Sequence, residues 1–182
     1  MNDINIHFQL KESDFLAYQM YESSISKLQK RKRMISRYAI TLVYIVFALF
    51  SMMHYQKPVL VIAIVIVAFI WFLFYPTYSR YQYKNHFQKH IEAHFQKRIN
   101  QDVEIQVNEE GIYTKDYSFE GKINKRQIKE LIETKDHFFV RLTTELSLII
   151  PKRAVENKRE FADTIVNEFH AIYTNAINWK WS

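Results

Sequence analysis

Residues 38–75 read YAITLVYIVFALFSMMHYQKPVLVIAIVIVAFIWFLFY, and this stretch decides the architecture. Its one formal charge is Lys57. Gln56, Lys57 and Pro58 divide it into two apolar runs, 38–55 and 58–75. As a helix each run is about 27 Å long, close to the roughly 30 Å hydrocarbon thickness of a bilayer. The apolar residues show no period, so every face of each helix is greasy. The rest of a 182-residue chain is too small to cover two such helices on all sides. Pro58 suits the first turn of a helix, where a missing N–H costs little. The stretch therefore predicts a tight transmembrane helical hairpin.

Charge fixes the expected orientation. Lys27, Lys30, Arg31, Lys32, Arg33 and Arg37 precede the first run, and Arg80, Lys84, Lys89, Lys97 and Arg98 follow the second. Only Lys57 lies between them. The positive-inside bias places both termini in the cytoplasm of a multi-pass cell-membrane protein, with the hairpin tip outside. Trp71, Tyr75 and Tyr78 suit anchors at the inner interface, and Tyr55 at the outer one. A cleaved signal peptide is not expected, because the first run starts near residue 38 and no small-residue cleavage site follows it.

The +6 net charge is concentrated in the two blocks that flank the hairpin, while residues 101–182 carry −2. A nucleic-acid binder spreads basic charge over a folded surface, so no nucleic-acid partner is expected. There is no cysteine, which excludes disulfides, thiolate metal sites and thiol catalysis. Two glycines, Gly111 and Gly121, are too few and too far apart for a dinucleotide fingerprint, a P-loop or a nucleophile elbow.

Outside the hairpin, residues 3–10 alternate: Ile4, Ile6, Phe8 and Leu10 face one way. That period predicts a half-buried strand. Ser13 or Asp14 is the expected cap of a following helix that runs toward the first span. Tyr83, Phe87, Ile91, Phe95 and Ile99 recur every four residues, which predicts an amphipathic helix over 78–100. From Val103 the period becomes two. Strands are expected at 103–107, 112–115, 117–123 (with a bulge at Gly121), 127–134, 138–142 and 146–150, ending at Pro151. Residues 156–178 are expected to close the chain as a helix with Phe161, Ile165, Phe169, Ile172, Tyr173 and Ala176 on one face. An unpaired sheet edge tends to be covered, so residues 3–10 are predicted to pair with a C-terminal strand.

The expected organisation is thus a cytosolic strand and helix at 1–37, the hairpin at 38–75, a connecting helix at 76–100 and a cytosolic domain at 101–182. The fold class is an α+β membrane protein: a two-helix hairpin plus an antiparallel-sheet domain capped by a C-terminal helix, pleckstrin-homology-like in arrangement.

In this order of parts the chain resembles the YcxB-like family of small bacterial membrane proteins. The residues that carry the resemblance are Phe8-Gln9-Leu10-Lys11-Glu12-Ser13-Asp14-Phe15, the basic block, the hairpin, 108–112, Thr134-Lys135-Asp136-His137-Phe138-Phe139 and, most specific, Leu148-Ile149-Ile150-Pro151-Lys152-Arg153-Ala154. Gln127 departs from the pattern, since similar proteins often carry a tryptophan there. The resemblance implies a membrane-anchored cytoplasmic domain. It implies no activity, catalytic residue or cofactor.

The candidate chemistry is sparse. His86, His90 and His94 lie at helical spacing, which suits either a shared metal or a solvated polar stripe. Lys30, Arg31, Lys32 and Arg33, and separately Lys152 and Arg153, are candidate contacts for anionic lipid or a charged ligand. The alternatives are that the first block only sets topology and that the second is a basic turn. Trp179 and Trp181 either anchor the C-terminus at the interface or pack as a tail. Neither run holds an acid, lysine or arginine, so an intramembrane enzyme or channel is not expected. The sequence points to a non-enzymatic membrane-anchored interaction or regulatory protein with a cytosolic ligand- or partner-binding domain. The alternative is a self-protection (immunity-like) or stress protein acting within the bilayer. The expected partners are the bilayer and its anionic lipids; no cofactor or metal is expected, and a homo-oligomer stays open.

Overall fold

A computed structural model describes residues 3–55, 57–116 and 120–181. The chain forms two compact units: Met1–Tyr18 with Gln88–Lys180, and Gln19–Phe87 with Trp181–Ser182. Gln56, expected in the loop, and Tyr117, Ser118 and Phe119, expected to open a strand, lie outside the described residues.

The first unit contains two four-stranded sheets. Strands β1 (Ile4–Gln9), β2 (Asp102–Asn108), β3 (Gly111–Lys115) and β4 (Glu120–Asn124) pair in that order, all antiparallel. The N-terminal strand does join the C-terminal region, as its alternation predicted: Ile6 lies opposite Ile105 and Phe8 opposite Val103. Gly121 pairs with Thr114 in unbroken register, so the bulge expected there does not form. The irregularity falls instead in strand β5 (Ile128–Thr134), between Ile128 and Glu130.

Gly111 opens β3 for a steric reason. Its φ is +148°, and a Cβ there would sit 2.0 Å from the Ile123 carbonyl oxygen. Asn108 Oδ1 fixes the preceding turn by accepting from the amides of Glu110 and Gly111 at 3.0 and 3.2 Å.

The second sheet has the order β7 (Ser147–Pro151), β6 (His137–Leu142), β5 (Ile128–Thr134) and β8 (Ile172–Ala176). The strand expected at 127–134 is β5. The inner faces of both sheets contribute to one hydrophobic cluster. Ile105, Val107 and Ile112 from the first sheet join Leu131, Phe138, Val140 and Ile150 from the second, together with Phe161 and Ile165. All nine are almost fully buried.

The C-terminal helix is much shorter than expected. Helix α4 (Lys158–Asp163) passes into a π-helical turn, Thr164–Glu168, and stops. Phe161, Ile165 and Phe169 are buried on one face, as their spacing predicts. His170 then adopts a left-handed φ of 58°, the conformation that ends helices. Beyond it the chain becomes β8, parallel to β5. Two physical reasons favour the strand. The edge of β5 needs a partner, and Ile172, Tyr173 and Thr174 are strand-favouring residues.

Three helices account for most of the remainder. Helix α1 (Glu12–Ile25) begins one residue before Ser13, so neither Ser13 nor Asp14 is its cap. Asp14 is the third helical residue and its carboxylate accepts from the Lys11 amide at 2.8 Å, occupying one donor left open at the helix start. Helix α2 (Lys27–Tyr55) and helix α3 (Pro58–His94) contain the two apolar runs, and both are long and apolar enough to cross a membrane. Most of their large apolar side chains are exposed, among them Leu42, Val43, Phe47, Val59, Phe69 and Phe74. The few buried positions in these runs are small: Ala48, Ser51 and Ala68. Small residues let two helix backbones approach closely.

Helix α3 continues through Pro76 and ends at His94, short of the expected residue 100. Within the first unit its last turns bury Ile91 completely and pack Phe95 against the same cluster. Pro76 has no N–H, so it leaves the Phe72 carbonyl, four residues earlier, without its helical donor. Arg37 of α2 supplies one: its Nε donates to the Phe72 oxygen at 3.1 Å. Its guanidinium also lies 3.9 Å from the centre of the Phe72 ring.

Candidate functional site

Two charged clusters stand out, one in each unit. The first is centred on Asp14, whose side chain is only 2% exposed. Its Oδ1 accepts from Arg153 Nη1 at 2.8 Å, and its Oδ2 accepts from Arg153 Nη2 at 2.6 Å and from the Lys11 amide. His137 Nε2 lies 2.8 Å from Oδ1; beside a carboxylate that nitrogen carries the proton and donates. Arg153 Nη2 also reaches the Gln9 carbonyl at 3.1 Å.

Burial alone would raise the pKa of Asp14. The hydrogen bonds from Arg153, His137 and Lys11 outweigh it and hold the carboxyl well below the usual carboxylate range. Local structure positions each partner. His137 opens β6 after a two-residue turn, where Thr134 Oγ1 accepts from its amide and donates to its carbonyl. Arg153 lies in the 3₁₀ turn Lys152–Ala154 that follows Pro151.

Lys152 is also turned inward. Its Nζ donates to Glu133 Oε1 at 2.5 Å and sits 5.0 Å from the centre of the Phe138 ring. Tyr173 of β8 donates to the other Glu133 oxygen at 2.6 Å. That bond pushes the Tyr173 phenol up to about 12. Burial would raise the Glu133 pKa, but Lys152 and Tyr173 together bring it below the ordinary value. Both basic residues of this turn therefore have carboxylate partners inside the fold. Lys152 thus meets a carboxylate of β5, and Arg153 one of α1.

The second cluster lies in the second unit. A cavity of about 250 Å³ is lined by Lys30, Arg33, Arg37, Tyr75, Ser79 and Trp181, among others. Arg33 is buried, although Arg31 and Lys32 beside it are exposed. Its Nη1 and Nη2 donate to the carbonyls of Ser23 and Ser24 at 3.0 and 3.2 Å. Its guanidinium stacks 4.5 Å from the Trp181 ring and 5.6 Å from the Tyr83 ring. Among the described residues, no carboxylate stands within ion-pair distance of it. Among the described residues, Arg33 Nε, Ser79 Oγ and Trp181 Nε1 are buried donors without a hydrogen-bond partner.

The aromatic residues expected at the inner interface form a group on α3. Trp71 lies 5.5 Å from Tyr75 and 5.7 Å from Tyr78, ring centre to ring centre. Tyr55, at the far end of α2, packs edge-on against His54. Of the histidine stripe, His90 and His94 stack at 4.5 Å. Among the described residues no three His, Asp or Glu side chains are grouped to hold a metal ion.

Sequence reasoning missed Asp14 and His137, which it read as a cap and a turn residue, and also Ser79. The available signal was that Asp14, His137 and Arg153 each lie in one of the segments that carried the family resemblance. The comparison with protein families bears out that resemblance: residues 107–165 match the family model described as YcxB-like protein. The match contains His137, Lys152 and Arg153. No curated protein matches the chain.

Proposed function

We propose that this YcxB-like protein is a non-enzymatic, membrane-anchored interaction module: α2 and α3 cross the bilayer as a hairpin, and the two-sheet unit lies in the cytosol as a ligand- or partner-binding domain. The observation that carries the reading is the exposure of the apolar runs. The most apolar windows of α2 and α3 are only 11% and 6% buried. In water so much apolar surface would drive aggregation. In lipid it is the required exterior, and a helix satisfies its backbone hydrogen bonds internally except at the Phe72 carbonyl, which Arg37 covers.

The distribution of bases supports the orientation with both termini cytoplasmic. The first unit's two sheets with a shared core and a closing helical segment support a pleckstrin-homology-like arrangement, with the parallel strand β8 as a departure from it. The Asp14 cluster supports a structural rather than a chemical role. Both carboxylate oxygens are occupied by Arg153, His137 and Lys11, so the group has no oxygen left open for a substrate.

The chain has no cysteine, so single cysteines report topology directly. Asp3, Lys57 and Glu109 are exposed positions for them. In intact expressing cells a membrane-impermeant maleimide should label only the Lys57→Cys protein. External labelling of Asp3→Cys or Glu109→Cys would overturn the orientation.

A further inference from the structure

We infer that the cavity beside Arg33 is a binding site for a phosphate group, carried either by an anionic lipid headgroup or by a small soluble phosphate ester. Its lipid form rests on the membrane reading above; its phosphate chemistry does not.

A buried guanidinium normally has a carboxylate partner, because desolvating a charge is costly. The described partners of Arg33 are two carbonyls and two aromatic faces. They orient the group without neutralising it. Lys30 and Arg37 line the same cavity, and among the described residues no acidic side chain does. Three cations around one cavity make a local field that favours an anion.

The hydrogen-bonding inventory gives the same answer. Arg33 Nε, Ser79 Oγ and Trp181 Nε1 belong to lining residues and have no acceptor among the described residues. A phosphate offers several oxygens, each able to accept more than one such bond. Ser79 and Trp181 can turn their donors toward it by side-chain rotation. A cavity of about 250 Å³ lies below the roughly 300–1,000 Å³ typical of drug-sized sites, which suits a headgroup or small ester. Its position also fits a lipid source. Tyr75 lines it one turn from Trp71, in the aromatic group expected at the headgroup level.

Native mass spectrometry of the full chain in detergent tests the inference. The probes are phosphatidate, diacylglycerol (which differs by the phosphate alone) and glycerol 3-phosphate. The expected result is retention of phosphatidate in preference to diacylglycerol. Apparent affinity should fall about tenfold, or by about 1.4 kcal/mol, in Arg33→Gln. It should also fall in Lys30→Gln, an exposed cavity residue whose replacement leaves the fold intact, and not in Lys32→Gln, an exposed base outside the cavity lining. Retention of phosphatidate alone identifies the lipid source. Retention of glycerol 3-phosphate as well shows that a soluble ester suffices. Equal retention of diacylglycerol, or equal losses in Lys30→Gln and Lys32→Gln, overturns the site. The measurement needs no bilayer, so it fails or succeeds independently of the cysteine labelling.

Discussion

Arg153 closes on both carboxylate oxygens of Asp14, at 2.8 and 2.6 Å, from 139 positions further along the chain. This bond ties the start of α1 to the turn after β7. Because His137 joins the same carboxylate, three distant segments meet on one buried charge.

Stability should therefore depend on acid in a defined way. The folded pKa of Asp14 is depressed, so its contribution is fully present above the unfolded value of about 3.9 and is lost as pH falls toward the folded value. Unfolding midpoints of the full chain in detergent should decline below about pH 4, and Asp14→Asn should flatten that acid limb. Arg153→Ala leaves the buried carboxylate with less support. It should cost about 3 kcal/mol, the low end for breaking a buried pair, because the Arg153 side chain is 44% exposed. An unchanged acid limb in Asp14→Asn would remove the cluster from the stability account.

The parts of this fold that were legible in the sequence are those where a single period or composition has one physical solution. The hairpin follows from 38 residues with one charge, and β1 from the alternation of Ile4, Ile6, Phe8 and Leu10. The C-terminal segment was misread because Ile172, Tyr173 and Ala176 satisfy a helical stripe as well as a strand, and only the open edge of β5 decides between them. The Asp14 cluster was hidden for a different reason. Pairing across 123 and 139 positions leaves no local pattern. Arg33 looks like its neighbours in a basic block, and burial alone separates it from Arg31 and Lys32. The Arg37–Phe72 bond was readable in principle, since a proline inside a helix always frees the carbonyl four residues earlier.

The strand at the C-terminus makes a contrast that mutation can read. Phe161 is fully buried, so Phe161→Ala should cost about 3–5 kcal/mol. Ile172 is 64% exposed in β8, so Ile172→Ala should stay within about 0.5 kcal/mol of the unmutated chain. A helix running to residue 178 would place Ile172 on the same buried face as Phe161. Comparable losses for the two variants, measured as unfolding midpoints under one set of conditions, would favour that helix over the strand.

Pro76 and Arg37 act on the same carbonyl, that of Phe72. In Arg37→Ala the Phe72 carbonyl loses its donor, and in apolar surroundings an unpaired carbonyl costs about 1–3 kcal/mol. Pro76→Ala restores an N–H one helical turn away, so the same carbonyl regains a helical partner. Arg37→Ala should then cost less in the Pro76→Ala background than in the unmutated chain. The Arg37 guanidinium also packs on the Phe72 ring, but that contact is lost in both backgrounds and cancels in the comparison. The remaining coupling should be about 1 kcal/mol, read from the thermal unfolding of the four proteins in detergent. Strictly additive losses would show that Arg37 does not act through the carbonyl that the proline leaves open.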